Sequence, residues 1–269
     1  MDPIDRLSPE PPVWRPDWPA PAGVQALCTT RLHPAGGAPS LPPYHHFNLG
    51  DQVGDGLPTV LAQRRALAQQ LGVRPVYLRQ VHGCQVQRIA PDTPDGLEAD
   101  ASFSALARVA CTVLVADCLP VLLCSADGRV LAAAHAGWRG LVAGVLQATV
   151  KALRLQWAVV TGATTQSAPV LAWLGPCIGQ QAFEVGPEVR AAFLLRNRDS
   201  GRHFVASGAD KYRADLAALA RQQLAALGGV ALYGNDSGPM WCTASNPARW
   251  YSHRRDRVSG RMAACVWRH

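Results

Sequence analysis

Lysine is almost absent from this chain: of its 26 basic residues, only Lys151 and Lys211 are lysines. The arginines are scattered, with no run of like charge, which argues against a nucleic-acid-binding surface. No stretch of about 18 uncharged apolar residues occurs, so no membrane span is expected. The opening MDPIDRLSPEPPVW carries acids early and has no apolar segment, unlike a secretory signal. The eight cysteines (28, 84, 111, 118, 124, 177, 242, 265) are dispersed and form no CxxC pair. They read as reduced thiols of a cytoplasmic chain, several of them packing residues. The eight histidines include one adjacent pair and no HxH, which disfavours multicopper chemistry.

What is there suffices for a large core. Apolar residues make up 48% of the 269 and charged residues 17%, with a net charge of +7. A cationic balance carried by arginine favours small anionic ligands. Residues 1–22 hold seven prolines and are expected to form a polyproline-like arm; residues 23–269 read as one domain, since no linker divides them. Apolar spacing predicts helices over Pro58–Leu71, Trp138–Leu155 and Arg213–Leu227, and a shorter one after Pro187. Strands are expected at Val24–Thr30, Val76–Leu78, Gln85–Ile89, Cys111–Ala116, Val121–Ser125, Arg129–Ala134, Val170–Leu174, Val230–Tyr233 and Ala263–Trp267. Several strands follow one another without an intervening helix, so the expected class is α+β, a single domain with mixed β-sheets flanked by helices.

The stretch TVLVADCLPVLLCSADGRVLAAAHAGWRGL (residues 112–141) interrupts apolar runs with Asp117, Cys118, His135 and Arg139. Asp127-Gly128 is a strong hairpin signal. Folding about it pairs residues whose numbers sum to about 255, which brings Cys118 and His135 to one end of the ribbon. Pro120 has no N–H for a ladder, so the strand is expected to end or bulge there. A lone buried Cys is usually a small hydrophobe and a lone strand-end His a satisfied polar group. Together at hairpin register they read as a site, either a Cys-His nucleophile pair or two ligands of a metal.

Five segments then resemble the signature of the YfiH/laccase-domain family: RQVHG (79–83), ADCLPVLL (116–123), AAHAGWRGL (133–141), GPCIG with FEVG (175–179, 183–186), and YSHRRD with GRMA (251–256, 260–263). Members are variously called polyphenol oxidase, purine nucleoside phosphorylase or peptidoglycan-editing factor. The resemblance implies an α+β fold whose Cys-His arrangement is shared with certain toxin deamidases. It also implies one metal, usually zinc, bound by His82, Cys118 and His135; the place of His82 rests on the resemblance alone. Two segments depart from the family pattern. HHFNLG brings His45 and His46, and YSHRRD brings His253.

Two imidazoles and a thiolate leave tetrahedral zinc one position short, the pattern of a catalytic site open to water. The activities implied are phosphorolysis of purine nucleosides (adenosine, inosine, guanosine, methylthioadenosine) and adenosine deamination. Arg31, Arg139 and Arg254 or Arg255 are candidates to grip phosphate. Asp117 is a candidate to protonate or orient the purine, or to hydrogen-bond a metal ligand. Asn48, Gln80 and Glu184 are candidate pocket residues, and Cys177 is either a second functional thiol or structural, as is Cys242. The alternatives are a copper-dependent phenol oxidase, a cysteine hydrolase acting on a peptidoglycan precursor with Cys118 as nucleophile, and a metal-dependent binding module without catalysis. The expected partners are a small nucleoside and phosphate, with no nucleic acid and no membrane, and the chain is expected to be a monomer.

Overall fold

Asp127-Gly128 closes a hairpin at the centre of the molecule. In the computed structural model, which describes residues 12–32, 39–165 and 168–269, strands Leu119–Ser125 and Leu131–Ala136 pair antiparallel. The register sums to 255 at every pair, with Leu119 opposite Ala136 and Pro120 opposite His135. Every residue of both strands is buried. That is why they read as unbroken apolar runs rather than as alternating ones.

The hairpin lies inside a six-stranded mixed sheet. In spatial order its strands are Val230–Gly234, Val170–Leu174, Leu119–Ser125, Leu131–Ala136, Ala101–Ser104 and Val86–Arg88. One face carries Leu119, Val121, Leu123, Ala132 and Ala134 against Leu141, Leu146, Val150 and Leu153 of the covering helices. The other face carries Leu122, Cys124, Leu131 and Ala133 against Ala26, Cys28, Val113, Val115 and Val266. Those residues belong to a second mixed sheet of five strands: Val13–Trp14, Val24–Thr29, Met262–Arg268, Val109–Val115 and Arg74–Val76. The outer face of that sheet buries Leu27, Ala110, Cys265 and Trp267 under Leu67 and Leu71 of the helix Leu57–Leu71. The architecture is therefore helix, sheet, sheet, helix in one domain. A small antiparallel sheet of Glu184–Val185, Tyr212–Ala214 and Phe204–Ala206 sits beside it.

Of the proline-rich stretch, residues 1–11 lie outside the described residues. Val13–Trp14 pairs with Val24–Thr29, and Trp14, Trp18 and Ala20 pack on the core between the sheets. No helix is long and apolar enough to cross a membrane among the described residues.

Three local expectations are corrected. The helix expected over Trp138–Leu155 is two helices, Trp138–Ala143 and Val145–Thr161, because Gly144 between them has φ 93°, a left-handed conformation that closes the first and opens the second. The helix expected from Arg213 begins at Leu216, where the Asp215 carboxylate accepts from the Ala218 N–H at 2.9 Å, and Tyr212–Ala214 joins the small sheet. Pro120 neither ends nor bulges its strand. Its carbonyl accepts from Gly175 N–H at 2.9 Å, the ladder to the next strand starts at Val121, and the N–H of His135 opposite turns to the Asp100 carbonyl at 2.7 Å. Nothing there calls for the donor that proline lacks.

Candidate active site

Cys118 and His135 meet at the open end of the hairpin, as its register requires. The loop carrying His82 closes over them, so that one donor atom from each of His82, Cys118 and His135 lies within 4.8 Å of the others. The Cys118 Sγ is 3.8 Å from Nε2 of His82, and the two imidazole rings are 4.8 Å apart, edge to face. His135 is buried at its strand end, Cys118 is half-buried, and His82 is exposed, so the cluster opens on one side.

Asp100, fully buried, stands behind the cluster. Its Oδ1 lies 2.8 Å from Nδ1 of His135. With a carboxylate there, Nδ1 carries a proton and Nε2 remains for a ligand or for Cys118. Burial opposes ionisation of Asp100, but the bonds from His135 and from the Gly83 and Val81 amides outweigh it and hold the carboxyl below its ordinary range. Burial likewise opposes a thiolate at Cys118, yet the neighbouring His135 and His82 bring the thiol down to about 6. Burial opposes the charged form of His135 too, but Cys118 and Asp100 lift it to about 9. Two imidazoles and a ready thiolate, open on one side and backed by a carboxylate, are a donor set that fits a zinc ion with a free position.

The glycines of HAGWRG allow this approach. A Cβ on Gly140 would stand 3.0 Å from the Gly83 carbonyl oxygen, so the helix start packs directly on the His82 loop. His82 and Asp117 both have positive φ, 61° and 88°. The Asp117 turn is pinned on three sides. Its carboxylate accepts from the Thr243 hydroxyl at 2.5 Å and from the Arg254 N–H at 2.6 Å, and its carbonyl accepts from the Ile178 N–H at 2.9 Å.

The cluster forms the floor of a cleft of about 500 Å³, walled by Leu78, Leu114, Ala116, Ile178 and Phe183 and rimmed by Arg139, Arg254, Arg261 and His253. Its two carboxylates are engaged elsewhere, Asp51 by Arg64 at 3.1 Å and Asp117 as just described. None of the three arginines forms a direct ion pair with a carboxylate among the described residues, though Arg261 lies within electrostatic reach of Asp117 and Cys118. Arg139 lies over the Trp138 ring at 4.3 Å, Arg254 lies over Phe183 at 5.5 Å and donates to the Glu184 carbonyl, and Arg261 donates to the carbonyls of Ser259 and Gly260. The cleft is cationic and suited to an anion.

Over residues 25–269 the chain matches the family described as multi-copper polyphenol oxidoreductase laccase. It belongs to that family. It is 46% identical over 253 residues to a Pseudomonas aeruginosa protein named purine nucleoside phosphorylase, covering 94% of this chain and 96% of that one. It is 43% identical over 254 residues to the Escherichia coli purine nucleoside phosphorylase YfiH, covering 94% and 97%. Among solved structures, a Neisseria meningitidis protein of the DUF152 family superposes with a TM-score of 0.85 at 40% identity, covering 96% of this chain and 99% of that one. The laccase-like family name and the phosphorylase names thus attach to one fold.

Within this laccase-family chain the other residues singled out from sequence divide sharply. Arg139, Arg254 and Gln80 line the cleft. Gln80, however, spends both ends of its amide on the backbone of Leu114, at 2.8 and 2.7 Å. Arg31 does not line the cleft; its guanidinium donates to the carbonyls of His45 and Pro247 and stacks on Tyr251. Asn48 does not line it either, but is bonded to Gly50 and the Arg261 N–H, which belong to its wall, and to Asp55. Arg255 is tied to Asp256 and to the carbonyls of Thr243 and Trp250. Cys177 is buried beside Cys242 with its thiol pushed far up by burial, outside the cleft, and Glu184 is exposed and accepts from Ser207. Of the departing histidines, His253 lines the cleft, while His45 and His46 do not. Sequence reasoning missed Asp100 and Arg261; Arg261 was visible inside GRMA.

Proposed function

We propose that this chain is a purine nucleoside phosphorylase of broad specificity, acting on adenosine, inosine, guanosine and methylthioadenosine, with adenosine deaminase activity and a zinc ion at His82, Cys118 and His135. One observation carries the reading: a three-donor cluster forms the floor of a cleft rimmed by three guanidinium groups with no direct carboxylate ion pair among the described residues. The phosphorylase names of the relatives support it. Bound there, the ion supplies Lewis acidity at the cleft floor. The chain does the rest. Arg139 and Arg254, each stacked on an aromatic ring and so held in plane, grip phosphate through their free N–H edges, with Arg261 on the same rim. The apolar wall of Leu78, Leu114, Ile178 and Phe183 receives the purine. A phosphate oxygen bonds to C1′ of the ribose as the C1′–N9 bond breaks, its electron pair leaves with the base, and the proton that the hydrogen phosphate gives up returns the base to neutrality. Asp117, with both oxygens engaged, positions the Cys118 turn and Arg254 rather than serving as that acid.

Copper is the weaker candidate. Multicopper oxidation needs several donor groups, and His82, Cys118 and His135 form the one such group found among the described residues. A cysteine hydrolase is the second reading, favoured by the Asp100–His135 bond, which orients the imidazole as in a Cys-His-Asp triad. Metal analysis of protein purified without added metal, with product analysis of nucleoside plus phosphate, tests the proposal. Zinc near one per chain, with free base and ribose 1-phosphate formed, is the expected result. Loaded protein that cleaves no purine nucleoside overturns it. The His82→Ala variant separates the readings: metal and turnover lost together support the metal enzyme, and turnover retained without metal supports the thiol.

A further inference from the structure

We infer that Asp100 is the positioning residue that assembles the site, one carboxylate holding two of the three candidate ligands in place. This rests on the metal reading of the cluster but not on the identity of the substrate. Asp100 sits just before the strand Ala101–Ser104, beside the strand that carries His135. Its Oδ1 takes the His82 N–H at 2.9 Å and Nδ1 of His135 at 2.8 Å. Its Oδ2 takes the Gly83 N–H at 2.7 Å and the Val81 N–H at 3.2 Å. The main chain repeats the pattern, since the Asp100 carbonyl accepts from the His135 N–H at 2.7 Å and its own N–H donates to the Gln85 carbonyl at 3.1 Å.

Four donors converge on two oxygens from two separate segments of chain. Three of them come from consecutive residues of the loop, whose side chains at Val81 and His82 are exposed. Gln80 ties the start of the loop to Leu114, but past it only the carboxylate holds the three amides, and without it His82 would give up its φ of 61° for the common conformations. The carboxylate nest fixes that turn and aims the His82 ring at Cys118. The fourth donor fixes the His135 ring and leaves its Nε2 for the ligand position. Asparagine has one oxygen and would turn an NH₂ toward donors, so the isosteric change breaks the nest while keeping the volume. Glutamate, one methylene longer, has no room in a pocket this fully enclosed.

The test uses the full chain, as Asp100→Asn beside Asp127→Asn, a change at the far end of the hairpin. Zinc affinity is read by chelator competition, folding by melting temperature, and the loop by hydrogen exchange of the Val81, His82 and Gly83 amides. Asp100→Asn is expected to weaken zinc by about 10–100-fold, to expose the three amides to fast exchange, and to leave the amides of the central hairpin protected. Asp127→Asn is expected to change neither zinc affinity nor the exchange of the Val81, His82 and Gly83 amides. Zinc affinity within about twofold of the parent, or a loss no larger than the unfolded fraction explains, overturns the inference. Should Asp100→Asn not fold, the parent alone decides: slow exchange of the three exposed-loop amides and an Nδ1-bound proton on His135 support the nest, and loop-like exchange overturns it. A parent chain that holds zinc but cleaves no nucleoside defeats the phosphorylase proposal and leaves this one standing.

Discussion

Gly137 lies directly against Cys118. A Cβ placed on Gly137 would stand 2.9 Å from the Cys118 Sγ and 3.1 Å from Cδ2 of His82. The backbone there, φ −70° and ψ 165°, suits any residue, so the glycine is needed for space and not for conformation. Gly137→Ala therefore isolates crowding at the cluster. It is expected to cost ~1–3 kcal/mol of stability and to displace the thiol from the two imidazoles. Chelator competition should show weakened zinc binding at temperatures where the variant is fully folded. Unchanged zinc affinity would mean that the thiol is not held in place for the metal.

The metal-free cluster should titrate as a pair. Cys118 falls to about 6 from 9.0, and His135 rises to about 9 from 6.5, for the causes given above. The signs follow from linkage. The depressed thiol contributes stability that is complete above 9.0 and is lost as pH falls through about 6. The raised imidazole contributes stability that is complete below 6.5 and is lost as pH rises through about 9. With chelator present, the gain at the thiol and the loss at the imidazole run in opposite directions between 6.5 and 9 and offset one another, so the melting temperature should stay nearly level across that range. Alkylation of Cys118 in the same buffer should rise with a midpoint near 6 and be suppressed by zinc. A midpoint near that of an ordinary thiol would refute the ion pair.

The two residues legible from first principles were those that a turn places. Asp127-Gly128 fixes the register, and the register brings Cys118 to His135; no other long-range contact of the site follows from local sequence. His82 reaches the cluster through the Asp100 nest, and nothing in the spacing of either residue announces that pairing. The strand after Asp100, Ala-Ser-Phe-Ser, has neither an apolar run nor a clean alternation, so it gives no signal although it lies inside its sheet, between the strand of His135 and the edge strand. The small sheet is built from strands of two or three residues, too short for any period to show. Arg31 and Asn48 are candidates by residue type and position in the chain alone. The structure ties Arg31 to the carbonyls of His45 and Pro247, and Asn48 to Gly50, Asp55 and the Arg261 N–H, so both brace loops and neither faces the cleft.

Among the described residues Arg139 has no carboxylate to hold, and its contact is the Trp138 ring. A cation–π contact at an exposed position is worth ~0.5–1 kcal/mol, so Arg139→Ala should scarcely move the melting temperature. Loss of a charge-assisted contact to phosphate is worth ~1.5–3 kcal/mol, which corresponds to roughly 10–100-fold in the phosphate requirement. Phosphorolysis should therefore slow at limiting phosphate while zinc stays bound and deamination, which uses no phosphate, is spared. Equal loss of both reactions with a lowered melting temperature would assign Arg139 to stability instead.

Asp117 separates positioning from acid catalysis. Its carboxylate is committed to the Thr243 hydroxyl and the Arg254 N–H, and its φ of 88° is one that asparagine tolerates and alanine does not. Asn in its place keeps an oxygen for the Arg254 amide, and its NH₂ can donate to the Thr243 oxygen, so the turn survives. Loss of a general acid costs about 10²–10⁴-fold in rate. Asp117→Asn is therefore expected to fold, to bind zinc and to retain phosphorolysis within about tenfold, below that range. Asp117→Ala should lose ~1–2 kcal/mol to the left-handed backbone and ~1–3 kcal/mol to the unpaired Arg254 amide, with Arg254 released from the rim and the phosphate requirement raised. The decisive comparison is the turnover number of the folded Asn variant across pH. A collapse of several hundredfold with the fold and zinc intact would return Asp117 to the chemistry; turnover that tracks the parent with an unaltered pH profile would confine it to holding Arg254 and the Cys118 turn in place.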